Sequence, residues 1–157
     1  MDLPPKLSDF EITQLNQLQP CILSASQRYK VNTEILNAIV LTEGTRPGQV
    51  LKNTNGSTDM SVMGINSIHL KSLVEYNIDK SILLDHPCVN VMIGAWLMKQ
   101  KLVEVNNNDP SQLWKAIGNY HSRTPKFNQI YQKLVWRNML RLRTYYKQTV
   151  YSFEGDK

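Results

Sequence analysis

The chain has 157 residues, of which 41% are hydrophobic and 20% charged, a composition that is ordinary for a globular protein of one domain. No apolar run approaches the roughly 18–20 residues that a membrane span needs. The net charge of +5 favours an anionic partner. Nucleic acid is not expected, because zinc-finger spacings, RNP-type motifs and glycine-rich phosphate loops are absent. Positively charged residues near the C-terminus predict a basic, solvated helix face: Lys126, Lys133, Arg137, Arg141, Arg143 and Lys147.

The N-terminal segment shows no strong hydrophobic period. The first ten residues lack the positive and apolar regions of a signal peptide, so we expect a cytoplasmic protein or one whose leader has been removed. Residues 1–19 are predicted to form an irregular lead-in. A first helix is predicted from Pro20, because proline suits the first helical turn.

A second helix is predicted from Thr33, a suitable N-cap, to Glu43, which is followed at once by Gly44. A carboxyl group at the C-terminal end of a helix meets partial negative charge, and this favours its protonated form. Glu43 is therefore the candidate proton donor. The polar, turn-rich segment that follows is closed by Asp59, which we expect to face or support Glu43.

The second half of the chain predicts further helices, each with a start signal. They begin near Asn66, at Pro87, at Pro110 behind the N-cap Asp109, and at Pro125. Residues 151–157 are predicted to form a flexible tail. The pattern as a whole predicts a mainly α (α+β) single domain of six or seven helices, with a small β-ribbon around residues 48–62.

Several kinds of chemistry lack their sequence signals. His69, His86 and His121 show no paired spacing of metal ligands, so no metal is expected. A nucleophile elbow and a dinucleotide-binding glycine fingerprint are both missing, so neither a serine hydrolase nor a cofactor enzyme is expected. Carboxylate acid/base chemistry remains. Glycosidic cleavage needs an acid that is still protonated near neutral pH, which a desolvated glutamate supplies.

Three motifs in chain order resemble known families. The string N-T-N-G-S-T-D-M-S-V-M-G-I-N-S at 53–67 resembles a segment of c-type lysozymes, and it is similar to the D-x-G-x-M-Q-I-N motif of the lytic transglycosylase SLT family. The string A-I-G-N-Y-H-S-R-T-P at 116–125 resembles the third motif of specialised transglycosylases that accompany conjugation, pilus and secretion machines. Cys21 and Cys88 lie where that subgroup carries a cysteine pair. The resemblance covers residues 20–135.

The resemblance implies a lysozyme-like transglycosylase domain over residues 20–150 and a role for individual residues. Glu43 would be the catalytic acid/base, and Tyr120 would hydrogen-bond or orient it. Cysteine count alone leaves two thiols or one disulfide open, and the resemblance implies a Cys21–Cys88 disulfide in an oxidising compartment. The residues implied to line the saccharide groove are Met63, Gly64, Ile65 and Asn66, with Asn119 and His121 flanking Tyr120, and Asn53 and Asp59 on the opposite wall.

The chain departs from the family motif at three positions. Gly64 replaces the glutamine that follows the motif methionine, so one side-chain hydrogen bond to sugar is missing. Ser61 replaces a glycine, and Gly44 replaces the serine that usually follows the catalytic glutamate. These changes affect the expected substrate geometry more than the expected reaction class.

The resemblance implies an exported, periplasmic monomer that cleaves peptidoglycan between N-acetylmuramic acid and N-acetylglucosamine, without a cofactor. Its partners would be glycan strands and components of a secretion, pilus or conjugation system. Two reactions share Glu43. A transglycosylase forms a 1,6-anhydro product, whereas a muramidase would use Asp59 as second carboxylate and finish with water. A weakly active peptidoglycan-binding assembly factor is the alternative of a different class.

Overall fold

The protein is described by a computed structural model over residues 3–155, and it is mainly α-helical, as the sequence predicts. A small antiparallel sheet interrupts the helices after the second one. Two short 3₁₀ turns, Ser67–His69 and Val74–Tyr76, flank the third helix. The helices of the described chain are α1 (Asp9–Tyr29), α2 (Thr33–Glu43), α3 (Leu70–Leu73), α4 (Lys80–Asp85), α5 (Pro87–Leu102), α6 (Pro110–His121) and α7 (Pro125–Gly155).

The first helix begins much earlier than the sequence analysis predicts. Ser8 caps it by accepting a 3.1 Å hydrogen bond from the backbone N–H of Glu11. The Glu11 side chain accepts in return from the backbone N–H of Ser8 at 3.0 Å, which completes a capping box. The prediction of an irregular segment is therefore wrong over residues 9–19, and Pro20 lies inside the helix. The Ser-x-x-Glu signal outweighs the proline as a start site.

Helix α5 lies at the centre of the core, packed against α1, α4 and α6. It begins at Pro87, as predicted, and a disulfide joins its Cys88 to Cys21 of α1, with 5.0 Å between their Cα atoms. The cysteine pairing implied by the family resemblance is thus confirmed. The core around this helix consists of fully buried side chains from several elements, including Ile22, Leu36, Ile39, Val91, Met98 and Ile117.

The sheet contains β1 (Val50–Lys52), β2 (Thr58–Met60) and β3 (Ile65–Asn66), in that order. The first two strands lie within the predicted ribbon, and the third extends it beyond residue 62. Asp59 is the paired residue of Leu51 on one side and of Asn66 on the other, so it sits on the middle strand.

A buried asparagine fixes the sheet against the helical core. The Asn90 amide of α5 donates to the carbonyl of Met60 at 3.0 Å, and its Oδ1 accepts from the N–H of Met63 at 2.9 Å. A buried side-chain amide whose N–H and C=O groups are both hydrogen-bonded holds its partners in one arrangement. The turn between β2 and β3 is consequently positioned by α5.

The last helix carries the predicted basic residues, and two of them form ion pairs with earlier helices. Arg141 pairs with Glu11 at 2.7 Å and is largely buried, so it ties the start of α1 to α7. Arg143 pairs with Glu34 of α2 at 2.5 Å. The predicted solvated face is wrong at Arg141, which is largely buried, whereas Arg143 stays exposed while it joins α7 to α2.

The C-terminal end of the chain is helical where a tail is predicted. The backbone of α7 continues to Gly155, and residues 156–157 of the predicted tail lie outside the described residues. None of the helices in the described part of the chain combines the length and hydrophobicity that crossing a bilayer requires.

Candidate active site

Glu43 is the last residue of α2, and the chain turns away directly after it. Gly44 adopts the left-handed conformation, with φ 64°, and its N–H donates to the carbonyl of Val40 at 3.2 Å. A glycine at this position terminates a helix at low conformational cost. The Glu43 side chain therefore projects from a defined helix end into the cleft beside it.

Burial raises the pKa of Glu43 from its ordinary 4.5 to about 7. The hydroxyl of Tyr131 donates a 2.8 Å hydrogen bond to Oε1 of Glu43, which opposes this rise, and the negative charge of Asp59 adds to it. Desolvation is the largest of the three effects, because removing water penalises the charged carboxylate. The carboxyl group is thus substantially protonated near neutral pH.

Tyr131 also determines which oxygen carries the proton. Burial raises the pKa of its hydroxyl well above the usual value, so the hydroxyl remains a donor at neutral pH. Because Oε1 of Glu43 accepts this hydrogen bond, Oε2 is left to carry the acidic proton. Glu43 lines a cleft of about 550 Å³.

The second carboxylate, Asp59, lines the same cleft from strand β2. Its two oxygens accept hydrogen bonds from side-chain amides, Oδ2 from Asn53 at 3.1 Å and Oδ1 from Asn66 at 2.9 Å. These two donors fix the direction of the carboxylate. Asp59 is thus held by two amides, whereas Glu43 accepts a hydrogen bond from the Tyr131 hydroxyl.

The cleft brings together most of the residues that the family resemblance implies. Lining residues from the sheet side include Asn53, Asp59, Gly64, Ile65 and Asn66, and those from the end of α6 are Asn119, Tyr120 and His121. The end of α6 is held against α7 by Asn128, whose amide donates to Oδ1 of Asn119 at 2.8 Å. Because its oxygen is engaged there, Asn119 has its own amide N–H groups left for the cleft.

Of the two roles expected for Tyr120, the hydrogen bond to Glu43 is not formed, and the orienting role stays a prediction. The Tyr120 hydroxyl donates instead to the carbonyl of Met63 at 2.7 Å, and its ring stacks on that of Tyr131 at 6.4 Å. Tyr120 thereby fixes the backbone next to Gly64, while Tyr131 contacts the acid. The Tyr131 ring also stacks on His121, with 4.9 Å between ring centroids.

Met63 does not line the cleft with its side chain, contrary to the sequence analysis. The side chain is fully buried and packs against Gly94 of α5, where no side chain intervenes. The apolar methionine fills the core under the turn, so only its backbone contributes to the site. Its carbonyl is the acceptor for Tyr120.

Several residues in or beside the cleft carried no clear sequence signal. Tyr131 lies on the buried face of α7 with Val135 and Met139, a spacing that predicts core packing and not a contact with an acid. Three positively charged or titratable side chains, His69, Lys101 and Arg123, also line the cleft, and only their positions in the folded chain bring them there. Within the described residues, no group of three His, Cys, Asp or Glu side chains is arranged to hold a metal ion.

The mainly α-helical fold with its small antiparallel sheet, which places Glu43 at a helix end and Asp59 on a strand beside the same cleft, defines a lysozyme-like domain. The chain belongs to the transglycosylase SLT domain family, which matches residues 20–132.

Named relatives agree with this membership. The chain is 34% identical to the invasion protein IagB of Salmonella typhimurium over 128 residues, which span 78% of this chain and 77% of IagB. It is 32% identical to protein IpgF of Shigella flexneri over 133 residues, 82% of this chain and 84% of that protein. A peptidoglycan-binding-like protein of Escherichia coli O157:H7 is 26% identical over 117 residues, 69% of this chain and 67% of the relative.

Proposed function

We propose that this protein is a peptidoglycan lytic transglycosylase that uses Glu43 as its single general acid and base. The observation that carries the proposal is the state of Glu43, whose pKa burial raises to about 7 and whose Oε1 accepts from Tyr131. An acid of this kind can protonate a leaving oxygen at neutral pH. Membership of the transglycosylase SLT domain family supports peptidoglycan as the substrate.

In the first step Glu43 gives its proton to the oxygen between N-acetylmuramic acid and N-acetylglucosamine. The bond between that oxygen and C1 of the muramyl residue breaks, and positive charge develops at C1. Among the cleft amides, Asn119 is offered for binding the sugars, whereas Asn53 and Asn66 already donate to Ser57 and Asp59. Asp59 lies near enough to influence Glu43 electrostatically, so its negative charge also stabilises the developing positive charge.

In the second step the Glu43 carboxylate takes the proton of the muramyl 6-hydroxyl. The hydroxyl oxygen attacks C1 of the same residue, which closes a 1,6-anhydro ring and returns Glu43 to its acid form. Because the nucleophile belongs to the substrate itself, its effective concentration is high and no second protein nucleophile is required.

A muramidase is the second candidate, and the position of Asp59 favours it. Asp59 shares the cleft with Glu43, and two amides hold its oxygens. In this reaction Asp59 would attack or stabilise C1, and water would complete the hydrolysis. A peptidoglycan-binding assembly factor of low activity is the third candidate, which the relative named peptidoglycan-binding-like protein supports.

An assay on purified peptidoglycan sacculi distinguishes the three candidate functions. An enzyme clears the turbidity of the suspension, whereas a binding factor sediments with the sacculi and leaves the turbidity unchanged. Mass spectrometry of the released fragments then identifies the reaction. We expect 1,6-anhydromuramyl ends; reducing muramic acid ends would instead establish the muramidase.

The cellular setting follows from the substrate. Peptidoglycan lies outside the cytoplasmic membrane, and the Cys21–Cys88 disulfide suits an oxidising compartment, so we place the protein in the periplasm. Local opening of the wall for a secretion, pilus or conjugation apparatus fits the resemblance to specialised transglycosylases. Fractionation of cells that produce the protein from its own gene tests this location, and recovery in the cytoplasm with free thiols would contradict it.

A further inference from the structure

Gly64 and the catalytic carboxyl group occupy adjoining space. Gly64 lies in the turn between β2 and β3 with φ +59°, and a Cβ atom added to it would lie 2.3 Å from Oε2 and 2.7 Å from Cδ of Glu43. Both distances are below 3.0 Å, which a real Cβ atom essentially never shows to a non-bonded heavy atom. The volume that a side chain at position 64 would fill is therefore occupied by the carboxyl group of Glu43.

Two contacts on opposite oxygens hold that group in place. Tyr131 donates to Oε1, and the bare Cα of Gly64 lies beside Oε2, the oxygen left to carry the proton. The backbone at Gly64 is itself fixed, because its N–H donates to the carbonyl of Ser61 at 3.0 Å and Tyr120 holds the preceding carbonyl. Of the two partners, the carboxyl end of a flexible side chain moves more easily than this turn.

We infer that Gly64 is a positioning residue, and that the glycine is what allows the Glu43 carboxyl group to take its place in the cleft. The replacement of the family glutamine by glycine is then not a loss of function but a condition for this placement of the acid. Restoring glutamine at position 64 displaces Glu43 instead of restoring a hydrogen bond to sugar. The activity readout of this inference rests on the proposed function.

The variants Gly64→Ala and Gly64→Gln test the inference, with Gly48→Ala as the matched control. Gly48 also has positive φ, +79°, but an added Cβ would only make an ordinary contact of 3.8 Å with the carbonyl of Leu84. The control therefore carries the same kind of backbone strain away from the acid. We expect similar decreases in Tm for Gly64→Ala and Gly48→Ala, since moving a carboxyl group costs little.

Activity should separate the two sites. Displacement of the acid by about one ångström is expected to lower kcat roughly 100-fold in both Gly64 variants, with KM nearly unchanged, whereas Gly48→Ala keeps the wild-type kcat. The displaced carboxyl group gains water, so the basic limb of the pH profile moves to lower pH. Wild-type kcat and an unshifted profile in Gly64→Gln would overturn the inference.

A second measurement does not depend on glycan cleavage. The carboxyl carbon of Glu43, assigned by its absence in Glu43→Gln, can be titrated by NMR in wild type, Gly64→Ala and Gly48→Ala. We expect the pKa of Glu43 to fall in Gly64→Ala, because burial is the largest cause of its elevation, and to stay unchanged in Gly48→Ala. If the pKa of Glu43 in Gly64→Ala equals that of wild type, the inference is wrong. If wild type cleaves no peptidoglycan but the titration shifts, the proposed function fails and the positioning role stands.

Discussion

The Tyr131 hydroxyl lies 2.8 Å from Oε1 of Glu43, a residue 88 positions earlier in the chain. This hydrogen bond joins the end of α2 to the second turn of α7. It directs one oxygen of the carboxyl group toward the core and leaves the other beside Gly64. The acid is thus oriented by a helix that contributes no catalytic group of its own.

Replacing Tyr131 with phenylalanine removes the donor and keeps the ring stacking on His121. Since the hydrogen bond lowers the pKa of Glu43, its loss should raise that pKa above about 7 and move the basic limb of the pH profile upward. We expect kcat to fall about tenfold, as for the loss of one hydrogen bond to a charged group. Tyr145→Phe on the same helix is the control, and an unchanged pH profile in Tyr131→Phe would contradict the orienting role.

Replacing Glu43 with glutamine should abolish cleavage of sacculi. Glutamine has nearly the same shape but no transferable proton, and general acid/base catalysis contributes roughly 100- to 10,000-fold. The measurement is turbidity loss of purified sacculi at pH 6. Activity retained in Glu43→Gln would show that another group is the acid.

The same variant should change stability in a pH-dependent way. The folded pKa of Glu43 is raised from 4.5 to about 7, so the folded state binds more protons than the unfolded state between these values. Stability from this group is therefore complete below pH 4.5 and is lost as pH rises through 7. Glu43→Gln removes the buried charge. At pH 8 we expect the free energy of unfolding of this variant to exceed that of wild type by at most about 3 kcal/mol.

Urea unfolding at pH 4.5 and pH 8 measures this difference. The exposed Glu75→Gln variant is the control, because its side chain is in solvent and removal of its charge should have no such effect. A wild type as stable as Glu43→Gln at pH 8 would mean that the ionised carboxylate carries no desolvation penalty.

Asp59→Asn should divide the transglycosylase from the muramidase. In a transglycosylase Asp59 contributes only electrostatic stabilisation, so we expect a roughly tenfold loss of kcat, about 1.4 kcal/mol. The basic limb should also move to lower pH, because the charge of Asp59 raises the pKa of Glu43. Complete loss of activity, together with reducing ends in the wild-type products, would support the hydrolytic route.

Reduction of the disulfide should destabilise the protein without changing the chemistry of the site. Cys21 and Cys88 are separated by 67 positions, and opening a loop of this length removes about 4 kcal/mol in the chain-entropy estimate. Thermal unfolding with and without reductant measures the loss, and a mass increase of ~2 Da verifies reduction. The double variant Cys21→Ser/Cys88→Ser should not respond to reductant; a response would point to another cause.

Local signals in the sequence predicted most of the fold. Asp109 caps α6 with its side chain and Pro110 follows as the first helical residue, as the sequence indicates. Likewise Glu43 ends α2 before Gly44. Such signals act within about four residues, so they are readable from the chain alone. Pro20 does not mark the start of α1, because the capping box of Ser8 and Glu11 begins the helix earlier in the chain.

The partners of the acid were decided by tertiary structure. Glu43 was identifiable as a helix-end carboxyl group, but its contact with Tyr131 depends on how α7 packs against α2. Its contact with Gly64 depends on how the sheet is fixed to α5. The helical periodicity of the sequence predicts Tyr131 as a core residue. The same periodicity would be present whether or not the Tyr131 hydroxyl contacted a carboxyl group. The sequence by itself thus indicated Glu43 as the candidate acid, whereas the long-range packing of helices determined its pKa, its orientation and its neighbours.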